Sequence, residues 1–545
     1  MPLPKADLVL RNGRIWCGLD SGFVEAAAVW RGRVLATGRM SEIESLLGPG
    51  TRTLDLAGRL AIPAFNDNHM HLLPLGLSMV EVDIRATEVR TMEALLGRIK
   101  AAADRAAPGE WIVGRGYDHF ELDLKRHPLR EELDQVAPHN PVYIKRTCGH
   151  VGVANSAALA AGGVVEESAN PQGGALERQN GRLTGLLMET AQRLVSTVIP
   201  KPSVAAMVDA IERAGSACAS HGIASVMDAN VGARCGMDEI AAYETARRVG
   251  RLPVRTYMCL AGGPNGIVEQ AHARGLVTKS GDDMLRVGPV KVFTDGSAGG
   301  RTAAMFEPYE GGDEHDTGIL VYNDEDVRAM VLDYHAKGYQ MALHGIGDHA
   351  IQICLDAVQN AQARVPAQDR RHRIEHCGFM SDAQIDQMAR LGMSPAPQPV
   401  FMYDFGDLYI SVLGEERAAT GYPMRRWTTA GVRPAASTDS PVCDINPFVN
   451  LYAAVTRKTS RGVVLGGQER LGVGEALHAM TANGAYVSFC EADKGTLEPG
   501  MLADIAVLSR DVFACDPEAI RTDTRCDITL RGGAVSFDRH GQLAA

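Results

Sequence analysis

Aromatic residues make up only 5% of this 545-residue chain, too little for a surface on which nucleobases stack. Positive charge is not in excess either: 55 Lys and Arg stand against 66 Asp and Glu, a formal net charge of −11. Such a surface repels phosphate backbones and anionic lipid, which argues against nucleic acid and membrane as partners. No apolar run approaches the roughly 20 residues of a membrane span. The start, MPLPKADLVLRNGRIW, has no apolar stretch followed by a cleavage site. The eleven cysteines are scattered from Cys17 to Cys526, odd in number and without a CxxC pair. That argues against a disulfide framework and a thiolate metal cluster, and for reduced thiols. The expectation is a cytoplasmic protein acting on a small molecule. With 45% hydrophobic and 22% charged residues, the composition is that of an ordinary globular chain.

Both ends of the chain read as short strands with turn punctuation. Near the N-terminus they are 6–10, 26–30, 34–37 and 53–56, with Asn12-Gly13 as a hairpin signal. Near the C-terminus they are 503–508, 527–530 and 534–537. Neither end has enough strands to bury a sheet alone. The reading is therefore one small β-sandwich domain built from residues 1–60 and 485–545, with the middle inserted into it.

From about residue 203 the chain alternates amphipathic helix, glycine and apolar strand. Helix 203–220 stops at His221-Gly222, and a strand follows at 223–227. Further strands are expected at 254–260, 287–294, 340–344, 373–376, 393–396 and 434–438. Leu60-Ala61-Ile62-Pro63-Ala64-Phe65 precedes them as strand one. Strands alternating with helices in this number predict an α/β fold, a (β/α)8 TIM-type barrel over 61–484. A long α/β insertion at about 75–202 interrupts it after strand one. An insertion there emerges on the active-site face, where it would cap or shape the pocket.

His69-Met70-His71 directly follows strand one. Residues i and i+2 of an extended segment point to one side, so both imidazoles can reach one ion. In a chain with 16 histidines such a pair alone says little. Other strand ends add to it. Lys291 lies in strand four, His344 ends strand five, His376 ends strand six and Asp439 ends strand eight. Each alone reads equally well as a polar residue capping a strand. Together they converge on one face of a barrel, which a metal centre explains. Imidazole and carboxylate suit Zn²⁺ and similar divalent ions. Lys291 is out of place beside a dication unless desolvation removes its proton. The neutral amine can then take up CO2 and become a carbamate that bridges two metals.

This set resembles the amidohydrolase superfamily, most closely its YtcJ-like branch, which includes N-substituted formamide deformylases. Several segments agree with that branch: Gly114-Arg115-Gly116-Tyr117-Asp118, Cys148-Gly149-His150, and Thr184-Gly185-Leu186-Leu187 with Glu189. So do Asp295-Gly296-Ser297 with Arg301, Gly345-Ile346-Gly347-Asp348, and 495–504. By that resemblance His69 and His71 hold a first metal, and His344 and His376 a second. Lys291 is the carbamylated bridge, and Asp439 both a ligand to the first metal and a proton shuttle. The implied cofactor is a divalent metal, Zn²⁺ favoured, two per chain with Lys291 carbamylated and one otherwise. Three features depart from the family pattern: the run Asn66-Asp67-Asn68 before the histidine pair, Ala64 in place of a glycine, and His349 in place of an arginine.

The implied activity is that of an amidohydrolase, cleaving a C–N bond of a small organic substrate, an amide first, by metal-activated hydroxide. Asp439 would carry the proton from water to the leaving nitrogen. The same centre also suits a lactone, carbamate, ester or amidine. A non-catalytic interaction scaffold is the remaining reading, and the complete ligand set argues against it. Tyr117, Asp118, His150, Glu189, Asp295, Arg301 and Gln398 are candidates for substrate contact by placement, although each also reads as a turn or cap. The family commonly forms dimers, so a homodimer is expected.

Overall fold

The computed structural model describes residues 4–543 apart from 86–87, 147–150, 172–173 and 368. The chain divides into two compact units, Met1–Leu73 with Ile211–Ala545, and Pro74–Ala210. Among the described residues, no helix is long and apolar enough to cross a membrane.

The first unit holds a seven-stranded sheet. Its strands are β1 (Phe65–Met70), β2 (Ile223–Val231), β3 (Arg255–Ala261), β4 (Leu285–Phe293), β5 (Met341–Gly345), β6 (Arg373–His376) and β7 (Ser394–Ala396). They lie side by side in that order, every neighbour parallel. Helices alternate with them, as parallel strands require. Helix Asp348–Arg364, between β5 and β6, buries Ile351, Cys354, Leu355, Val358 and Ala361, a stripe at helical spacing. Helix Asp382–Arg390 opens on a capping box in which Ser381 and Gln384 satisfy each other's backbone.

The eighth segment, 434–438, nearly closes the ring without forming a ladder. Ala435 and Ser437 donate their N–H groups to Pro395 O and Pro397 O, each at 3.0 Å, and Asp439 N–H donates to His69 O at 2.8 Å. Pro395 and Pro397 have no N–H to give back, so the pairing beside β7 runs one way only.

Strand one is displaced from its expected place. Leu60–Pro63 belongs to a different sheet, parallel to Arg14–Gly18 and antiparallel to Ile505–Leu508. The barrel strand is Phe65–Met70, fully buried although Asn66, Asp67, Asn68 and His69 are polar. An apolar run signals a core strand for any sheet, whereas this polar strand is buried only because partners satisfy it. Asp67 accepts from Thr438 N–H at 3.1 Å and from Thr438 Oγ1 at 2.5 Å.

Two sheets draw on the chain ends. Leu8–Arg11, Ala26–Trp30, Arg33–Gly38 and Arg52–Asp55 form one. Arg14–Gly18, Gly22–Val24, Leu60–Pro63, Ile505–Leu508, Cys526–Arg531 and Ala534–Asp538 form the other. Leu8, Ile15, Val29, Leu54, Ile505 and Val507 meet in one core between them. Asn12-Gly13 makes no hairpin. It passes the chain from the first sheet to the second, with Asn12 at φ 59°, and a Cβ on Gly13 would lie 2.5 Å from Arg59 O.

The second unit has its own six-stranded sheet, in the order Gly174–Gln179, Arg182–Glu189, Val151–Ala154, Val142–Arg146, Ile112–Tyr117 and Val82–Asp83. Its core gathers Leu95 and Ile99 of helix Met92–Ala103 with Leu133 and Ile144.

At the N-terminal end of the barrel strands, two histidines close a chain of hydrogen bonds. Met341 N–H donates to His372 Nδ1 at 3.0 Å, so His372 carries its proton on Nε2. That proton goes to His335 Nδ1 at 2.8 Å, and His335 Nε2–H ends on Val365 O at 2.8 Å. A further proton on either ring has no acceptor. Burial, then the charge of His335, pushes the His372 pKa down to about 3. The folded state thus binds fewer protons than the unfolded one between about pH 3 and the ordinary histidine value near 6.5. Stability contributed by this group is present above that window and lost as pH falls through it, at most by about 1.4 kcal/mol per pH unit. Urea midpoints measured from pH 4 to 7 are expected to fall with acid in the wild type and to fall less in His372→Gln.

Candidate metal centre

The strand ends bring the expected residues together. His69 and Lys291 are each 1% exposed, His376 4% and Asp439 5%, while His71 is half-buried. Asp439 Oδ1 lies 3.2 Å from His71 Nε2 and 3.4 Å from His69 Nε2. Lys291 Nζ lies 3.4 Å from His69 Nε2. The His69 and His376 rings are 4.8 Å apart between centroids, and those of His376 and His344 4.5 Å. One ligand atom each from His69, His71 and Asp439 falls within 4.8 Å of the others.

Each ring has one nitrogen committed to a partner outside the cluster, while His69 Nε2 faces Lys291 Nζ within it. His71 Nδ1–H donates to Ala229 O at 2.7 Å, and His376 Nδ1–H to Gln398 Oε1 at 2.8 Å. His69 Nδ1 is bonded to Glu375. These three rings therefore turn Nε2 toward the cluster. His344 is reversed: its Nε2–H donates to Gly296 O at 3.0 Å, and Nδ1 is buried without a partner among the described residues. Asp439 Oδ1 likewise accepts no hydrogen bond there. Buried acceptors without donors are costly, and lone pairs converging from imidazole and carboxylate are the donor set of a divalent ion. The residues fit a metal.

The electrostatics agree. Burial, then the charge of Lys291, pushes His344 down to about 3. Burial, followed by His344 and His69, holds His376 well below its usual value. Both rings are thus neutral at pH 7, with free lone pairs. For His71, burial opposes the charged form, but the Asp439 carboxylate beside it outweighs burial and raises the pKa. Burial would raise Asp439, yet the His69 and His71 imidazoles beside it hold it far below the usual carboxylate range. Burial lowers Lys291 against the pull of Glu375.

His376 and Asp439 share a further feature: φ is 67° and 57°, in the left-handed region that non-glycine residues avoid. Such backbones cost on the order of 1–3 kcal/mol and persist where the surroundings over-determine them. Here Cys377 N–H is tied to Gly345 O at 3.0 Å, and Asp439 N–H to His69 O at 2.8 Å. The turns aim both side chains into the centre.

The substrate-contact candidates among the described residues have partners within the protein. Asp295 is buried and accepts the N–H groups of Ala304, Ile346 and Gly347 at 2.9–3.1 Å. It organises the loops after β4 and β5. Gln398 is buried, donating to Ala396 O at 3.0 Å and Ser437 Oγ at 2.8 Å while it accepts from His376. It holds the His376 ring in place. Arg301 pairs with Asp316. His349 stacks on Phe306 at 4.8 Å. In the second unit, the Tyr117 hydroxyl meets His127 Nδ1 at 3.0 Å, and Asp118 takes Arg146 at 2.9 and 3.0 Å. His150 and the side chain of Glu189 lie outside the described residues.

Glu375, beside His376, was not among the sequence candidates. Its signal was present in Arg373-Ile374-Glu375-His376: two opposite charges at i and i+2 share one side of a strand that is otherwise buried.

Residues 52–537 match the Amidohydrolase family. The chain is 28% identical to the putative amidohydrolase YtcJ of Bacillus subtilis, over 93% of this chain and 95% of that protein. It is 29% identical to the N-substituted formamide deformylase of Arthrobacter pascens, over 98% and 99%. The crystal structure of an uncharacterized metal-dependent hydrolase from Pyrococcus horikoshii OT3 superposes with a TM-score of 0.79 at 28% identity, covering 94% of this chain and 99% of that one. With the barrel and its convergent donor set, these likenesses show that the chain belongs to the amidohydrolase family, in the YtcJ-like branch of metal-dependent hydrolases.

Proposed function

We propose that this protein hydrolyses the carbon–nitrogen bond of an amide in a small organic molecule, with a divalent ion, Zn²⁺ by preference, held by His69, His71, His344, His376 and Asp439. The observation that carries the reading is the pair of buried acceptors lacking donors, His344 Nδ1 and Asp439 Oδ1, beside the Nε2 edges of the other three rings. The 29% identical relative named for formamide deformylation supports an amide as the bond.

When bound, the ion would lower the pKa of a water toward neutrality and polarise the substrate carbonyl. The protein's own groups move the protons. Asp439, held ionised, takes one from the attacking water at Oδ1 and delivers it to the amide nitrogen, which leaves readily only as a neutral amine. That oxygen lies 3.2 Å from His71 Nε2 and 3.4 Å from His69 Nε2, where it would share the ion with them. Lys291, buried under the Phe293 ring with Nζ 4.9 Å from its centroid, is the candidate for a bridging carbamate.

Elemental analysis of the purified protein, paired with N-formyl, N-acyl and cyclic amide substrates, tests this. The expected result is a divalent metal near two per chain with Lys291 carbamylated, or near one with it unmodified, and amine release that stops on chelation. Acid release without an amine would move the reaction to an ester or lactone, and ammonia release to a deamination. Metal-free protein with full turnover would end the metal reading.

A further inference from the structure

A buried carboxylate stands behind His69 that the ligand set does not account for. Glu375, 0% exposed on β6, is hydrogen-bonded to His69 Nδ1. Arg373, also 0% exposed and two residues earlier, donates to Glu375 Oε1 at 2.5 Å and Oε2 at 3.0 Å. The same guanidinium reaches across to Asn68 O on β1 at 2.8 Å. One cation thus ties the carboxylate to the strand that carries the histidine pair.

The other rings are oriented by neutral acceptors: Ala229 O for His71, Gly296 O for His344 and Gln398 Oε1 for His376. Among the four, His69 is the ring whose nitrogen is hydrogen-bonded to a carboxylate; Asp295 also stands behind His344, 3.5 Å from Nε2, but the hydrogen bond there goes to Gly296 O. A buried ion pair contributes little stability over a well-packed apolar pair of the same volume. Keeping one here, against an imidazole edge, therefore points to the imidazole. A carboxylate behind a ligating histidine fixes its tautomer and strengthens its donor nitrogen.

We propose that Glu375 is a positioning residue of the metal centre: it holds His69 with the proton on Nδ1 and the Nε2 lone pair toward Asp439 and Lys291, and its charge strengthens that nitrogen for an ion shared with His71 and Asp439. The proposal rests on the metal reading of the site. Arg373 has a supporting part, neutralising the carboxylate and holding Asn68 in register.

Metal-free wild type, Glu375→Gln and the double variant Arg373→Met/Glu375→Gln are titrated with Zn²⁺ against a chromophoric chelator, and their folding is followed by circular dichroism. The double variant leaves no unpaired buried charge, so it separates positioning from charge burial. The expected result is a tightest Zn²⁺ site weakened roughly 10- to 100-fold in both variants. Histidine-selective 15N spectra of the metal-free wild type, with the His69 signal identified by its loss in His69→Asn, are expected to show protonation at Nδ1. Unchanged Zn²⁺ affinity in either folded variant overturns the proposal. So does wild-type His69 protonated at Nε2, a measurement that needs no folded variant of Glu375. Wild type that binds no Zn²⁺ overturns the metal reading as well, whereas tight wild-type binding matched by the variants removes only the role of Glu375.

Discussion

Asp439→Asn is expected to lower kcat by about 10²- to 10⁴-fold, the usual worth of a positioned general acid–base, while most of the metal stays bound. Asparagine keeps an oxygen where Asp439 Oδ1 faces His69 and His71 at 3.4 and 3.2 Å. It cannot accept and return a proton. The loss therefore falls on turnover, and on slow amide substrates above all, because the nitrogen must be protonated to leave. Single-turnover rates and metal content measured on the same preparation check this. A variant with near wild-type kcat would take the proton shuttle away from Asp439. A variant that loses its metal along with its activity would make Asp439 chiefly a ligand.

Asp295→Ala is expected to destabilise the fold by on the order of 3 kcal/mol or more, because each buried N–H left without an acceptor costs about 1–3 kcal/mol. Ala304, Ile346 and Gly347 all donate to this one carboxylate. The chain is tight where they meet, since a Cβ on Gly347 would lie 2.0 Å from Ala304 O. The loops released are those after β4 and β5, and Gly296 O, which orients His344, sits in the first of them. Denaturant midpoints are expected to fall sharply, with weaker metal binding as a consequence. A raised KM at unchanged stability would instead restore Asp295 to the substrate-contacting role that its Asp-Gly-Ser motif suggests.

These two residues show how far a sequence reading reaches. Asp439 was legible because its segment follows the helix–glycine rhythm and because it completes a donor set with His69, His71, His344 and His376. Asp295 was noticed for the same reason, a polar residue past a strand end, but its partners are backbone groups of two loops. No residue type in the sequence marks those. Gln398 is a similar case: its amide bonds to His376, Ala396 and Ser437. Strand one was misplaced because hydrophobicity marks Leu60–Pro63 as readily for the terminal sheet as for the barrel, while Phe65–Met70 carries polar side chains that only their partners make burial-competent.

From residue order alone come the alternation of helix and strand, the six polar positions that cluster at the strand ends and the family resemblance, because periodicity and side-chain chemistry are local properties of a chain. Tertiary structure alone decides which nitrogen of each ring is free and which carboxylate receives a proton. It also decides that Glu375 and Arg373 stand behind His69. Those outcomes depend on hydrogen bonds between atoms as far apart in sequence as strands one and six, and the complete burial of Glu375 and Arg373 is what makes theirs obligatory.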